Sequence, residues 1–267
     1  DASKASKTAL ADYVNTPDAT YQLKVVKKQQ GDGFTVFLVD LKSQTWRTKK
    51  DVNRPVWQHW LTVVKPDQVI TDKALLLIGG GRNGRKDLPK PDEMVVKMAV
   101  ASKSVVASLG MVPNQSLVFH GDGQERVEDD LIGYTWDQFL KTGDKTWPAR
   151  NPMVKSAVRA MDCITELMAS KEGGEITVDK FVVAGASKRG WTTWLTGAVD
   201  PRVVAIVPIV IDVLNVNTSM KHHFAAYGFW APAIGNYYQH KIVQRMDDPR
   251  LEELYDLVDP YAYRHRL

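Results

Sequence analysis

Residues 181–190 constrain the fold more than any other part of the sequence. They open with the continuously apolar run Phe-Val-Val-Ala, which is typical of a strand buried on both faces of a sheet. Three small residues follow, ending at Ser187, and a helical pattern begins at Lys188. A strand that turns sharply into a helix through small residues leaves the Ser187 hydroxyl exposed. The stretch therefore predicts a layered α/β structure with a candidate nucleophile, although Gly and Ser at such a junction can also simply cap a helix.

The other apolar runs place this junction within a larger sheet. Runs at 21–26 and 34–39, separated by the turn signal Gly31-Asp-Gly33, predict an antiparallel hairpin at the N-terminal end. An antiparallel start followed by alternating strands and helices predicts one α/β domain over residues 1–267, with a mixed, mostly parallel sheet and helices on both faces. Further strands are predicted at 59–64, 74–78, 105–112, 180–184 and 203–210, and helices at 92–103, 129–141, 149–170 and 188–198.

Two segments depart from this pattern. Residues 1–19 are polar and predict a loosely attached N-terminal segment. Between residues 212 and 240 the periodicity fails, and we expect an insertion after the strand that ends near 211, lying lid-like over one end of the sheet. It could form a wall of a substrate pocket or a local core. Its aromatic residues are Phe224, Tyr227, Phe229, Trp230, Tyr237 and Tyr238.

Composition argues against several classes of protein. Hydrophobic content of 44% and charged content of 25% are ordinary for a globular protein. The longest apolar run, residues 203–211, is far shorter than the roughly 20 residues that span a bilayer, so no membrane span is expected. The 35 basic residues are interleaved with 31 acidic ones and form no basic stripe, so no nucleic-acid partner is expected. Cys163, the only cysteine, is expected to be a small buried hydrophobe in a helix.

A serine at this kind of turn needs two further sets of groups before it can attack a carbonyl. A base must take the proton of Ser187, and donors must stabilise the oxyanion that forms. The backbone N–H of Lys188 is the natural first donor, because free amides and the helix dipole both point there. The usual pattern has glycine two places after the serine, whereas Arg189 holds that place here and Gly190 follows. Arg189 either adds charge near the substrate or faces solvent.

The glycine-rich turn at 79–84 offers a rival interpretation, because Gly-Gly-Gly-Arg-Asn-Gly fits the G-x-G-x-x-G dinucleotide fingerprint. That fingerprint must open directly into a helix, but two prolines delay any helix to about residue 92. No acidic residue stands about 20 positions further on, and Arg85-Lys86 after Gly84 does not match a phosphate loop. We therefore expect no cofactor. The alternative is an oxyanion loop in which Gly80 or Gly81 supplies the second amide donor.

A metal site is not expected either. His120-Gly-Asp-Gly123, with the acidic run that follows at 128–130, lacks the ligand spacing of zinc or calcium motifs. Acidic side chains at that place instead favour the start of the next helix.

Seven short strings occur along nearly the whole chain and are together far more specific than either glycine motif. The sequence resembles the PhoPQ-activated pathogenicity-related family, an α/β-hydrolase group of secreted or periplasmic bacterial proteins with some eukaryotic relatives. The strings are Arg54-Pro-Val-Trp-Gln-His-Trp60, Leu77-Ile-Gly-Gly-Gly81, Val112-Pro-Asn-Gln115, Tyr134-Thr-Trp136, Gly143-Asp-Lys-Thr-Trp-Pro148, Gly185-Ala-Ser-Lys-Arg-Gly-Trp191 and Asp259-Pro-Tyr261.

The resemblance implies an α/β-hydrolase fold, a secreted or periplasmic location and a nucleophile at Ser187. It also implies that the acid and the histidine come after the last strands of the sheet. The sequence ends at Leu267, so we expect the 1–267 domain to lack its C-terminal strands. On this expectation, either a C-terminal companion fragment of the same protein supplies the missing groups, or the protein is not a competent hydrolase.

Some residues of the chain itself could complete the site. Asp212, at the carboxyl end of a predicted strand, can serve as a substitute acid or can cap the following turn. His222 and His223 lie in the aromatic insertion near the same end of the sheet and are candidates for the base or for the pocket lining. The predicted substrate-binding residues are Arg189, His222, His223, Tyr227 and Trp230.

The sequence thus favours a serine hydrolase of esterase or peptidase type, acting on a small-molecule or peptide substrate through a Ser187 acyl-enzyme. The alternative is an inactive hydrolase-fold protein that binds a ligand or signals through its aromatic insertion. Fold alone does not decide between these functions. A histidine within hydrogen-bond reach of Ser187 would favour catalysis.

Overall fold

The computed structural model describes residues 8–84 and 88–267. The chain forms a seven-stranded sheet in the order β1-β2-β3-β5-β4-β8-β9, and a separate two-stranded ladder, β6-β7. The strands are β1 (Gln22–Gly31), β2 (Phe34–Thr45), β3 (Val56–Pro66), β4 (Lys73–Ile78), β5 (Val105–Leu109), β6 (Leu117–Val118), β7 (Glu125–Arg126), β8 (Lys180–Ala186) and β9 (Val203–Ile209).

The pairing of the strands confirms the mixed sheet. β1, β2, β3 and β5 pair with one another in an antiparallel sense, beginning with the predicted hairpin. β5, β4, β8 and β9 pair in a parallel sense. Consequently β2, β5, β4, β8 and β9 all run in the same direction, which makes the sheet mostly parallel.

Helices cover both faces of the sheet, as the sequence predicted. Val36, Val64 and Val106 point to one face and pack against α2, while alternate residues of the same strands enter the large core on the other face. The second face is covered by α1, α4 and α5. The helices are α1 (Ala9–Asn15), α2 (Glu93–Ser102), α3 (Glu128–Thr142), α4 (Arg150–Ala169), α5 (Lys188–Val199), α6 (Val216–Tyr227), α7 (Gly235–Gln239) and α8 (Pro249–Val258), with 3₁₀ turns at Pro232–Ile234, Val243–Arg245 and Pro260–Arg266.

The prediction of a loosely attached segment over residues 1–19 was wrong in its described part. Residues 8–19 include α1, whose Leu10 and Val14 are buried in the main core. The Thr8 hydroxyl accepts from the backbone N–H of Ala11 and caps the helix. The apolar face of α1 is only two turns long, so its periodicity is hard to see in a polar stretch. Residues 1–7 lie outside the described part of the chain.

The glycine-rich turn does not open into a helix, in agreement with the sequence analysis. Helix α2 begins at Glu93, and the Arg85-Lys86 pair lies outside the described residues. The strand predicted at 105–112 ends earlier, at Leu109, because the chain bends toward the glycine turn at Met111, where φ is +63°. There the N–H of Met111 donates to the carbonyl of Gly80.

Helices also form in the region where the sequence showed no periodicity. Within α6 only Val216 is buried, so the helix has no apolar stripe that a pattern could reveal. Asp259 holds the start of this helix in place. Its carboxylate accepts hydrogen bonds from the backbone N–H groups of Val216, Asn215 and Tyr261. Burial raises the pKa of Asp259, and these amide donors oppose that effect. The aspartate of the Asp259-Pro-Tyr261 string therefore joins the C-terminal segment to α6.

Cys163 is buried, as expected. None of the described helices is both long and apolar enough to cross a membrane.

The buried histidine of the core is His59, on β3. Its Nδ1 lies 3.1 Å from the Gly110 carbonyl, which can only accept, so Nδ1 carries the proton. Its Nε2 lies 3.0 Å from the Ser43 hydroxyl, which donates to it. Burial lowers the pKa of His59 to about 4, against the opposing effect of the Gly110 and Met111 backbone groups. The ring is therefore neutral in the folded protein at pH 7.

This histidine makes stability depend on pH. Because its pKa is lower in the folded than in the unfolded chain, the unfolded state takes up the proton first as the pH falls. Its contribution is thus complete above about pH 6.5 and is lost as the pH falls toward 4. We expect wild-type protein to lose about 2 kcal/mol more unfolding free energy between pH 7 and 4.5 than His59→Gln does. Urea unfolding at the two pH values measures this difference. The exposed His120 provides the control: His120→Gln should keep the wild-type pH dependence.

Candidate active site

Ser187 stands at the turn between β8 and α5 in a backbone conformation that few side-chain-bearing residues adopt. Its φ is +54° and its ψ is −124°, and the residue is exposed. Its backbone N–H donates to the carbonyl of Ile209 on the neighbouring strand, at 2.9 Å. The turn is thus tied to β9, and the serine projects from the carboxyl end of the parallel strands.

Two glycines make this turn possible, and they explain why the motif departs from the usual spacing. A Cβ added at Gly185 would lie 2.7 Å from the backbone oxygen of Arg189, and one at Gly190 would lie 2.8 Å from the oxygen of Gly185. The first turn of α5 therefore touches the end of β8 with no room for a methyl group. In this geometry position 190, and not 189, faces the strand.

The N-terminus of α5 is a donor site beside Ser187. First-turn amides of a helix have no acceptor within the helix, so the N–H of Lys188 is available to an oxyanion. The side chain of Lys188 is directed elsewhere: its Nζ lies 2.7 Å from Glu128 and 3.2 Å from Asp129. Its carbonyl accepts from the Arg150 guanidinium at 2.8 Å. Lys188 is therefore held both at its backbone carbonyl and at its ammonium group.

Arg189 does not simply face solvent, because its side chain is only 13% exposed. Its guanidinium donates to both carboxylate oxygens of Glu128, at 3.0 and 2.7 Å, and its Nε donates to the carbonyl of Val112 at 2.6 Å. Burial would raise the pKa of Glu128, but hydrogen bonds from Arg189, Lys188 and Gln115 lower it to about 2. This bidentate pair connects the nucleophile turn to the start of α3.

The same guanidinium explains one glycine of the 79–84 turn. A Cβ at Gly80 would lie 2.7 Å from Nη2 of Arg189, so a side chain there would displace the ion pair. The glycine turn is therefore packed against the residue two places after Ser187. No described residue supports the dinucleotide interpretation at this turn, because it neither starts a helix nor carries the acidic partner.

A cavity of about 390 Å³ opens beside Ser187. Lys188 and Asp212, two other predicted site residues, also line it, and Asp212 is exposed. The remaining lining comes from α3, α4, α5, α8 and the segment that includes α6 and α7. These lining residues include Asp129, Trp136, Arg150, Ser219, Met220 and Tyr237.

The structure places the other predicted residues elsewhere. Gly80 and Gly81 line a neighbouring cavity of about 510 Å³. The rings of His223 and Trp230 stack on each other at 5.8 Å with an interplanar angle of 8°, and Tyr227 lies beside His223. Neither these three residues nor the exposed His222 is among those that line the Ser187 cavity.

Among the described residues, the cavity wall has neither a histidine nor a cluster of side chains that could hold a metal ion. No histidine of residues 8–84 and 88–267 lines the cavity, and His240 instead pairs with Asp130 at 2.6 Å on α3. Over the same residues, no group of three His, Cys, Asp or Glu side chains could hold a metal ion.

Sequence reasoning missed the residues at the floor of the cavity. Arg150, Trp136 and Tyr237 lie far apart in sequence and converge only when α3, α4 and α7 pack together. Tyr237 donates to Asp129 at 3.2 Å. No local sequence signal marks Arg150, because its burial at the start of α4 follows from tertiary packing.

Comparisons with known proteins match this chain over nearly its whole length. A family model described as "PhoPQ-activated pathogenicity-related protein" matches residues 10–267. Autocrine proliferation repressor protein A of Dictyostelium discoideum is 42% identical over 261 residues, which is 97% of this chain and 52% of the relative. The chain therefore spans about half the length of this curated relative.

Two solved structures share the fold of this chain at low sequence identity. An acetyl xylan esterase from Paenibacillus sp. R4 superposes with a TM-score of 0.59 at 14% identity, covering 97% of this chain and 73% of the esterase. Acetyl xylan esterase 1 from Thermoanaerobacterium sp. JW/SL YS485 gives 0.56 at 15% identity, covering 95% and 69%.

The close approach of strand and helix at the nucleophile turn can be tested with one methyl group. Gly185→Ala places a Cβ against backbone atoms of Arg189, which cannot move aside without shifting α5. We expect a loss of about 2 kcal/mol in the free energy of unfolding, measured by urea denaturation. Gly235→Ala is the matched control, because φ is −55° there and nothing lies within 4 Å of the added atom. Equal stability of the two variants would contradict the close approach.

Proposed function

Because the chain belongs to the PhoPQ-activated pathogenicity-related protein family and has an α/β-hydrolase fold, we propose that it acts as a serine esterase through a Ser187 acyl-enzyme. The observation that carries this proposal is the conformation of Ser187, exposed at φ +54° and beside a cavity. Strain of this kind persists only where the surrounding structure enforces it, and it is concentrated at functional sites. The fold shared with two acetyl xylan esterases favours ester over peptide bonds.

In the proposed reaction, a base takes the proton of Ser187 Oγ, and the oxygen attacks the ester carbonyl. The carbonyl oxygen becomes an oxyanion, which accepts from the N–H of Lys188. The second donor comes from Gly80 or Gly81, whose turn packs against Arg189. Collapse of the intermediate releases the alcohol with a proton from the base, and water then hydrolyses the acyl-enzyme. The pair of Arg189 and Glu128 keeps the two donor segments together.

The base and its acid partner are proposed to come from a further segment of the same protein, added at the free edge of β9. Apolar parallel strands are normally buried on both faces of a sheet. On β9, however, Val204 is 50% exposed and Val207 is 46% exposed, and the strand has only β8 as neighbour among the described strands. Strands added at this edge would place their carboxyl ends beside Ser187 and Asp212. Asp212 remains the substitute acid within this chain.

A signalling role is the second candidate. The name of the Dictyostelium relative describes a repressor of proliferation with an autocrine action, and identity of 42% extends over the whole matched region. In that case the hydrolase scaffold would bind a ligand or partner without turnover. A secreted or periplasmic location, implied by the family resemblance, fits either candidate and stays a prediction.

Covalent labelling separates the two candidates. We expect a fluorophosphonate probe to add to Ser187 of the full-length protein, and Ser187→Ala to reduce both labelling and hydrolysis of a nitrophenyl acetate by at least roughly a thousandfold. Mass spectrometry locates the adduct, and absorbance measures hydrolysis. Ser219→Ala is the matched control, since Ser219 lines the same cavity and donates to the carbonyl of Leu214. A folded full-length protein without labelling would reject the esterase and leave the signalling candidate.

A further inference from the structure

We propose that the cavity beside Ser187 binds a carboxylate of its ligand through Arg150, so that the substrates are esters with an apolar body and a second, free carboxylate group. This inference rests on the proposed function only in taking the ligand to be an ester. The binding itself requires the cavity and not the reaction.

Arg150 is a buried cation without a carboxylate partner. The residue is 1% exposed, and its guanidinium lies 4.1 Å from the Trp191 ring and donates to the Lys188 carbonyl at 2.8 Å. No carboxylate of the described residues forms a direct ion pair with it, and its Nε has no hydrogen-bond acceptor there. Its guanidinium also hydrogen-bonds the Tyr237 hydroxyl, which donates to Asp129, so that carboxylate attracts Arg150 without touching it. An anionic ligand in direct contact would therefore stabilise the buried cation further.

A second unpaired donor lines the same cavity. The indole Nε1 of Trp136 has no acceptor among the described residues, and the side chain is 2% exposed. Guanidinium and indole N–H groups can only donate. The partner that satisfies both must therefore be rich in acceptors, and a carboxylate offers two oxygens with about four acceptor positions.

The charges around Arg150 favour an anion. Below the nucleophile turn, the cations Arg150, Lys188 and Arg189 face the two carboxylates of Glu128 and Asp129, which leaves one positive charge in excess. Glu128 is held by Arg189 and Lys188, and Asp129 by Lys188 and by the hydroxyl of Tyr237. Asp129 attracts Arg150, but neither carboxylate forms a direct ion pair with it.

One acidic group opposes the anion. Asp212 also lines the cavity, but its side chain is exposed, and water and salt screen its charge. The remaining wall is largely apolar, with Val216, Met220, Ile234 and Ile242. A cavity of about 390 Å³ with this lining suits a compact apolar group that carries one carboxylate.

The test compares benzoate with benzamide, its neutral counterpart of nearly the same shape. Tryptophan fluorescence of the full-length protein reports binding, because Trp136 and Trp191 line the cavity. We expect benzoate to bind roughly tenfold more tightly than benzamide, as a charge-assisted hydrogen bond requires. Equal binding, or no saturable binding of either compound, would overturn the proposal without any variant.

Two substitutions on the same helix assign the effect to Arg150. Arg150→Met keeps most of the side-chain length and removes the charge, so the preference for benzoate should fall to within about twofold. Arg159→Met is the control, because Arg159 pairs with Asp162 away from the cavity and should leave the preference unchanged. A folded Arg150→Met protein that keeps the full preference would refute the assignment. If that variant does not fold, Arg150→Lys should still lower the preference for benzoate, because lysine lacks the planar guanidinium that can bind both carboxylate oxygens.

The same titration on Ser187→Ala distinguishes failure of this proposal from failure of the esterase proposal. Benzoate preference should persist in this variant, since the carboxylate site does not use the serine hydroxyl. A protein that escapes fluorophosphonate labelling but prefers benzoate would keep the carboxylate site and reject the esterase. A protein that is labelled by the fluorophosphonate but shows no preference for benzoate would keep the esterase and reject the carboxylate site.

Discussion

The close approach of α5 to the ends of β8 and β9 is the constraint on which the site depends. Because Gly185 and Gly190 leave no room for a methyl group, the helix can begin directly where the strand ends, and the chain must reverse within one residue. That residue is Ser187, which takes up the strained backbone conformation and is held there by a hydrogen bond to Ile209. The exposure of the hydroxyl and the orientation of the Lys188 N–H follow from the same contact. Packing of backbone against backbone therefore creates the candidate site.

Electrostatics connect this turn to the rest of the molecule. The Arg189 guanidinium reaches Glu128 at the start of α3, Val112 after β5, and the space that a side chain at Gly80 would fill. Three separate segments thus meet at one side chain, whose pairing with Glu128 lowers the pKa of that carboxylate to about 2. An ion pair of this kind contributes little to stability at an exposed surface, but here it is half-buried and bidentate, and it holds the Ser187 turn against α3.

The periodicity of apolar residues was sufficient to predict the strands and helices that have long apolar faces. The central strands, the long helix Arg150–Ala169 and the turn at Ser187 all follow from local patterns, because one buried face repeats along each element. Helices α1 and α6 could not be found in this way, since one is two turns long and the other buries only Val216. The residues at the floor of the cavity could not be predicted from the sequence either. Arg150 acquires its surroundings only from tertiary packing, which places it beside residues of α3 and α7.

The edge of β9 and two donors of the cavity share one property: each lacks a hydrogen-bond partner among the described residues. The apolar edge strand β9 leaves Val204 and Val207 half exposed, and the buried guanidinium of Arg150 forms no direct ion pair. Arg150 lines the cavity beside Ser187 and Asp212, and Asp212 follows soon after the carboxyl end of β9. Strands added at the edge and an anionic ligand on the floor would each satisfy one of these groups. The two together would enclose Ser187 between a completed sheet and a neutralised cation, which is the low-dielectric setting in which an oxyanion is best stabilised.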